Sequence, residues 1–157
     1  MSPARALTAV AGVLLALSVA GCPGPQYRMD DPPSFKRFQD EPGLRMITAD
    51  GVMLKVREVE NYPEADLRFW VDAMRRHLEQ QGYAPRGAPR FFDARGGLRG
   101  ARLLFLVPRG PEDWELGEAV FVVGKRVVLV ETAGPYPLHA PLEKEIDAAL
   151  LTFEPGA

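Results

Sequence analysis

The segment 117–132 constrains the fold of this chain more than any other part of the sequence. It contains two nearly apolar runs, residues 117–123 and 126–132, which are joined by Gly124-Lys125. Two β-branched runs separated by two such residues predict a β-hairpin. Because the runs are apolar almost throughout, rather than alternating with polar residues, we expect both faces of this hairpin to be covered.

The remaining pattern predicts four further strands and two helices. The strands fall in pairs, with turns at Asp50-Gly51 and Gly96-Gly97. Residues 63–81 carry a single apolar stripe at helical spacing and end before Gly82, and residues 142–153 carry a second stripe. The expected strands are residues 44–49, 52–59, 91–94, 99–107, 117–123 and 126–132.

The resulting order, β-β-α-β-β-β-β-α, predicts an α+β domain over residues 43–154. Its antiparallel sheet has about six strands, with two amphipathic helices packed on it. The order resembles the PsbP/Mog1-like fold, and the last third carries the likeness: an apolar strand over 127–130, the segment Glu131-Thr132-Ala133-Gly134-Pro135, and an amphipathic helix ending in Thr152-Phe153. The resemblance implies a binding, assembly or accessory protein, and it brings no catalytic motif.

The first 42 residues predict export, lipidation and a tether. Residues 1–21 have the charged start, apolar run and small residues of a signal peptide. Val19-Ala20-Gly21-Cys22 resembles the lipobox of bacterial lipoproteins, in which the chain is cut between Gly21 and Cys22 and the thiol carries a lipid. Cys22 is the only cysteine of the chain, which favours a special role for it. The proline-rich segment 22–42 is expected to be an extended tether.

These features predict a cell-envelope location, with the membrane reached through the N-terminal lipid. Pro23, which is not aspartate, favours the outer membrane facing the periplasm by the sorting preference of enteric bacteria. The net charge of −2 excludes a globally basic nucleic-acid binder. The expected partners are another envelope protein or an anionic envelope polymer.

A basic segment over residues 86–109 is the candidate binding region. Arginine forks suit phosphates and carboxylates, and Phe91 and Phe92 lie within the segment. The alternative is that these charges mix with the acidic residues of 110–157 on one solvated surface. The candidate residues for an anionic ligand are Arg90, Arg95, Arg99 and Arg102.

Catalytic and metal-binding signals are sparse. His77 and His139 have no partner at metal-ligand spacing, and Ser34 is the only serine after residue 21. We therefore predict a non-catalytic binding or accessory protein with no metal and no cofactor. The alternative is a cell-wall glycan hydrolase using Glu112, Asp113 or Glu115 beside Trp114, in an expected loop. That function needs two carboxyl groups facing each other about 5–9.5 Å apart.

Overall fold

The structure is a computed structural model that describes residues 27–156. The predicted signal peptide and Cys22 lie outside the described residues. The strands are β1 (Tyr27–Arg28), β2 (Phe35–Arg37), β3 (Arg45–Thr48), β4 (Met53–Glu60), β5 (Ala84–Pro85), β6 (Arg90–Asp93), β7 (Arg99–Arg109), β8 (Glu112–Val123), β9 (Arg126–Pro135) and β10 (Glu154–Pro155). The α-helices are α1 (Leu67–Gln80), α2 (Tyr136–His139) and α3 (Glu143–Leu150). Short 3₁₀ turns occupy Arg95–Gly97 and Ala140–Leu142.

The main sheet is antiparallel and has eight strands in the order β2-β3-β4-β9-β8-β7-β5, with β6 also paired to β7. The predicted α+β class is confirmed, as are the hairpins at Gly51 and Gly124, where positive φ angles of 87° and 57° suit glycine. The expected number of strands was too low. Strands β2 and β5 add to the edges of the sheet, and β1 and β10 form a separate pair.

The central hairpin β8–β9 is covered on both faces, as predicted. Helix α1 packs on one face, where Val71 and Leu78 meet a buried cluster that includes Val120 and Leu129. On the other face α3 packs against a second cluster, in which Ile146 lies with Phe121. The strand alternation produces these two cores, since successive side chains of β8 point to opposite faces.

Both helices differ at their ends from the sequence prediction. Helix α1 begins at Leu67 rather than at residue 63, because Asp66 caps it by accepting a hydrogen bond from the Phe69 amide. The proline-containing segment after Pro135, which precedes the predicted second helix, forms the short helix α2, whose first turn tolerates proline. Helix α3 then ends at Leu150.

The predicted tether over 22–42 and the domain start at residue 43 require correction, because residues from Tyr27 onward belong to the folded domain. Tyr27 stacks on Phe153 with ring centroids 5.7 Å apart, and Phe35 is only 2% exposed. Strand β2 pairs with β3, and β1 pairs with β10. Apolar burial and strand pairing thus override the local proline-rich composition of this segment.

Candidate functional site

Two arginines lie directly opposite each other on neighbouring strands. Arg90 of β6 pairs in register with Arg102 of β7, and like charges in directly opposed positions repel. Asp147 of α3 lies between them, with its carboxylate oxygens 2.9 Å from Nη2 of Arg90 and 3.0 Å from Nε of Arg102. One carboxylate therefore serves two guanidinium groups.

Arg102 is the buried member of this group, with a side chain 2% exposed. Its Nη1 and Nη2 atoms have no hydrogen-bond partner within residues 27–156, and the proximity of Nε to Asp147 is an ion pair without hydrogen-bond geometry. Burial lowers the pKa of Arg102, and the charge of Arg90 adds to this effect; the charges of Asp147, Glu143 and Glu115 counteract it without reversing it. Buried charges are normally paired and hydrogen-bonded, so the environment of Arg102 is incomplete.

A pocket of about 260 Å³ opens beside these arginines, between β6, β7 and the end of α3. Its charged lining consists of the two arginines and Asp147. The remaining lining is apolar and consists of Phe91, Phe92, Leu150 and Leu151. The sequence therefore brings a buried cation and an apolar wall into one small cavity.

A closed polar network lies on the same face of the sheet. Arg86 donates to Glu115 and, at 2.5 Å, to Glu143. Glu115 also lies 2.7 Å from Nδ1 of His139, whose Nε2 is 2.8 Å from the Thr132 hydroxyl oxygen. Burial acts to raise the pKa of Glu115, but the hydrogen bonds from His139 and Arg86 outweigh it and lower that pKa. This network joins β8 and β9 to the helical segment after Pro135.

The contacts from Thr132 through His139 to Glu115 have the order of a hydrolase triad, but the residues are enclosed. All three are 0% exposed. The Thr132 hydroxyl donates to the carbonyl oxygen of Gly117 at 3.5 Å, and a Cβ at Gly117 would collide with that hydroxyl. A nucleophile must reach its substrate, so the geometry is that of an internal structural network.

The three carboxylates proposed for glycan hydrolysis do not form the expected site. The predicted loop is instead the start of β8, where neighbouring side chains alternate between faces. Glu112 and Asp113 are exposed, whereas Glu115 is buried and bound by Arg86. The structure therefore gives these residues no paired arrangement across a cleft, which removes the physical basis of the hydrolase alternative.

The four candidate arginines separate into two groups. The structure brings Arg90 and Arg102 together at the pocket, as described above. Arg95 lies instead near Asp30 and Glu154, at 3.7 and 3.6 Å, and Arg99 pairs with Asp93. Whether any of the four binds a ligand stays a prediction.

Sequence reasoning missed Asp147 as a member of the site, because its position early in a helix has an ordinary electrostatic explanation. It also treated Arg102 as part of a surface charge run. A signal was nevertheless present, since Arg102 interrupts an apolar strand, where a charged side chain must either leave the core or find a partner.

A second buried carboxyl pair lies on the opposite face of the sheet. Glu118 and Glu131 are directly opposed on β8 and β9. Burial raises the pKa of Glu118 well above its ordinary value, and the charge of Glu131 raises it further. Glu131 is paired with Lys55 at 2.9 Å and with Arg57 at 2.6 Å. Burial acts to raise the pKa of Glu131 too, but the hydrogen bonds from Arg57 and Lys55 outweigh it and lower that pKa, so the two opposed carboxyl groups shift in opposite directions.

Residues 27–156 contain neither a metal-ligand cluster nor a membrane-spanning helix. No group of three or more His, Cys, Asp or Glu residues in this part of the chain has the geometry to hold a metal ion. None of its helices combines the length and apolar character that crossing a membrane requires.

The order of strands and helices, with α1 on one sheet face and α3 on the other, is that of the PsbP/Mog1-like fold. The predicted fold resemblance is therefore confirmed at the level of structure. No protein-family model matches the sequence, and no curated protein shows significant sequence similarity to it.

Solved structures similar to this domain include proteins from three different organisms. LpqN, involved in cell envelope biogenesis of Mycobacterium tuberculosis, has a TM-score of 0.66 at 11% identity, covering 85% of this chain and 86% of LpqN. Cyanobacterial PsbP from Synechocystis sp. PCC 6803 has a TM-score of 0.60 at 13% identity, covering 83% and 87%. The Ran-binding protein Mog1p of Saccharomyces cerevisiae has a TM-score of 0.56 at 10% identity, covering 82% and 89%. At these identities the likeness concerns the fold.

Proposed function

We propose that this chain is a lipid-anchored cell-envelope protein with a non-catalytic binding or accessory role. The observation that carries the binding role is the pocket beside Arg102, whose buried guanidinium group lacks hydrogen-bond partners within residues 27–156 and adjoins an apolar wall. The enclosed state of the Thr132–His139–Glu115 network favours a non-catalytic domain, because its hydroxyl cannot meet a substrate.

The proposed location depends on the sequence before the described domain. Cleavage between Gly21 and Cys22, followed by acylation with palmitate-type chains, places the lipid close to Tyr27, where the folded domain already begins. Two or more acyl chains anchor a protein stably, since each buried CH₂ contributes about 0.8 kcal/mol. The short spacing holds the domain near the bilayer, and Pro23 directs the protein to the outer membrane facing the periplasm.

Two similar structures are compatible with this role. LpqN is involved in cell envelope biogenesis, and Mog1p binds Ran. A protein confined to a membrane surface meets its partners at raised effective concentration, so a modest interface suffices. The proposed partners are an anionic envelope component or another envelope protein.

The test of anchoring uses the full chain expressed in a bacterium that processes lipoproteins. Because Cys22 is the only cysteine, mass spectrometry of the N-terminal peptide reports directly on its thiol. We expect a chain that begins at Cys22 and carries a diacylglyceryl group on its thiol. The wild-type protein should be recovered in the membrane fraction, and the Cys22→Ser variant should not. A matched Ser18→Ala change beside the lipobox should leave processing intact. An unmodified thiol in the wild-type protein would contradict the proposed anchor.

A further inference from the structure

The pocket beside Arg102 has a cationic half and an apolar half. Arg90 and Arg102 provide two guanidinium groups against the one carboxylate of Asp147. Phe92 and Leu150 contribute to the apolar half. A ligand that satisfies both halves must itself carry a negative group attached to a hydrocarbon portion.

We propose that this pocket binds an amphipathic anion, a carboxylate or phosphate monoester that carries an alkyl chain. Nη1 and Nη2 of Arg102 are enclosed and have no hydrogen-bond partner within residues 27–156, so the Arg102 guanidinium turns toward the pocket that it lines when it donates to the anionic oxygens. Arginine donors in a fork match both anions, and charge-assisted hydrogen bonds of this type are the strong ones. Arg90, which is exposed, contacts the same anion from the mouth of the pocket.

The pocket volume and lining set the size of the bound portion. A volume of about 260 Å³ lies just below the range usual for drug-sized ligands, so the pocket takes the head and the first carbons of the chain. Phe91 and Leu151 are exposed at its rim. The rest of a longer chain therefore continues along the surface.

This inference rests on the proposed binding role and is independent of the proposed lipid anchor. The anchoring test concerns the thiol of Cys22, whereas the ligand test concerns the described domain. A free thiol together with ligand binding at Arg102 overturns only the anchor. An acylated Cys22 without ligand binding overturns only the pocket.

The experiment measures ligand binding by the full chain in a nonionic detergent, with melting temperature and titration calorimetry as readouts. The probes are octanoate, a carboxylate, and octyl phosphate, a phosphate monoester, so that the two kinds of anion are tested separately. Both are used at millimolar concentration, well below the concentration at which they form micelles. Octanol supplies the chain without the charge, and inorganic phosphate supplies the charge without the chain. A ligand that binds only the folded state raises the melting temperature according to its concentration and Kd.

Three variants locate the binding. Arg102→Met should weaken binding of the alkyl anions about tenfold or more, because charge-assisted hydrogen bonds are lost. Arg99→Gln is the matched control, since Arg99 lies on the same strand but does not line this pocket, and it should bind like wild type. Asp147→Asn should bind several-fold more tightly, because it removes the carboxylate that competes for both arginines.

The proposal is supported when at least one alkyl anion binds the wild type and Arg99→Gln tenfold more tightly than it binds Arg102→Met. It is overturned by equal binding to Arg102→Met, or by no binding to the wild type. If octanol binds with the same affinity as octanoate, the cationic half of the assignment is overturned. If inorganic phosphate binds with the same affinity as octyl phosphate, the apolar half is overturned. Circular dichroism checks that each variant is folded.

Discussion

Replacing Arg102 by methionine should stabilise the folded domain, although it removes a residue from the middle of a central strand. The side chain is 2% exposed, and its terminal nitrogens lack partners within the described part of the chain. Leaving a charged donor buried and unsatisfied costs about 1–3 kcal/mol or more. Methionine fills a similar volume and carries no polar group.

The opposing contribution is the attraction between Arg102 and Asp147. Their 3.0 Å ion pair lacks hydrogen-bond geometry, and Asp147 is one-third exposed and keeps Arg90 at 2.9 Å. Exposed ion pairs contribute about 0–1 kcal/mol, so losing this partly exposed one costs roughly 1 kcal/mol. Because three nitrogens of Arg102 lack hydrogen-bond partners in the described chain, the upper part of the first range, about 2–3 kcal/mol, applies. The net expectation is a gain of about 1–2 kcal/mol, in line with other replacements of buried ions by apolar residues.

Urea denaturation of the full chain in nonionic detergent, followed by circular dichroism, measures this difference. A gain of that size corresponds to a rise in Tm of roughly 3–8 °C for a domain of this length. Arg99→Gln, at an exposed position on the same strand, should change stability by less than about 0.5 kcal/mol. A loss of 1 kcal/mol or more in Arg102→Met would refute the reasoning, because it would show that the guanidinium is fully compensated in the folded state.

Three further predictions test other parts of the structure. Glu118→Gln should stabilise the domain at neutral pH, because the raised pKa of Glu118 means that ionisation of this carboxyl group opposes folding. The gain should vanish as the pH falls to about 4, the ordinary pKa of a carboxyl group, which urea denaturation across this pH range would show. Phe35→Ala should cost about 3–5 kcal/mol of unfolding free energy because the ring is 2% exposed, whereas Tyr62→Ala, at 82% exposure, should be nearly neutral; equal effects would contradict the folded N-terminal segment. Gly117→Ala should lower stability by about 1–3 kcal/mol, because its Cβ collides with the Thr132 hydroxyl, and an unchanged Tm would show that this contact relaxes freely.

The sequence predicted the elements whose signals are local. The β8–β9 hairpin follows from two β-branched runs and a two-residue turn, and the stripe of α1 follows from its helical period. The sequence did not predict the first strand, because β1 pairs with β10, which lies at the opposite end of the described chain. Proline and charge content describe local preference, and they carry no information on such long-range pairing.

The sequence predicted only part of the candidate site, again because local patterns carry no information on long-range contacts. The basic segment indicated Arg90 and Arg102, but equal weight fell on Arg95 and Arg99, because spacing alone does not show which arginines share a pocket. Strand register separates them, since Arg90 is directly opposite Arg102 while Arg99 is opposite Asp93. The contribution of Asp147 depends on how α3 packs against β7, and no local pattern specifies that packing.

The acidic side of α3 explains why one end of this sheet face is closed and the other is open. Glu143 and Asp147 lie four residues apart, one helical turn, and each faces an arginine. At the first turn, two carboxylates, from Glu143 and Glu115, satisfy the single guanidinium of Arg86. One turn later the ratio of ion pairs is reversed: within the described residues, Arg90 and Arg102 both pair with Asp147, while Glu115 and Glu143 act on Arg102 from farther away. The same helix therefore completes a structural network at one turn and leaves the terminal nitrogens of Arg102 without hydrogen-bond partners in the described chain at the next, which is the place where we propose that an external anion binds.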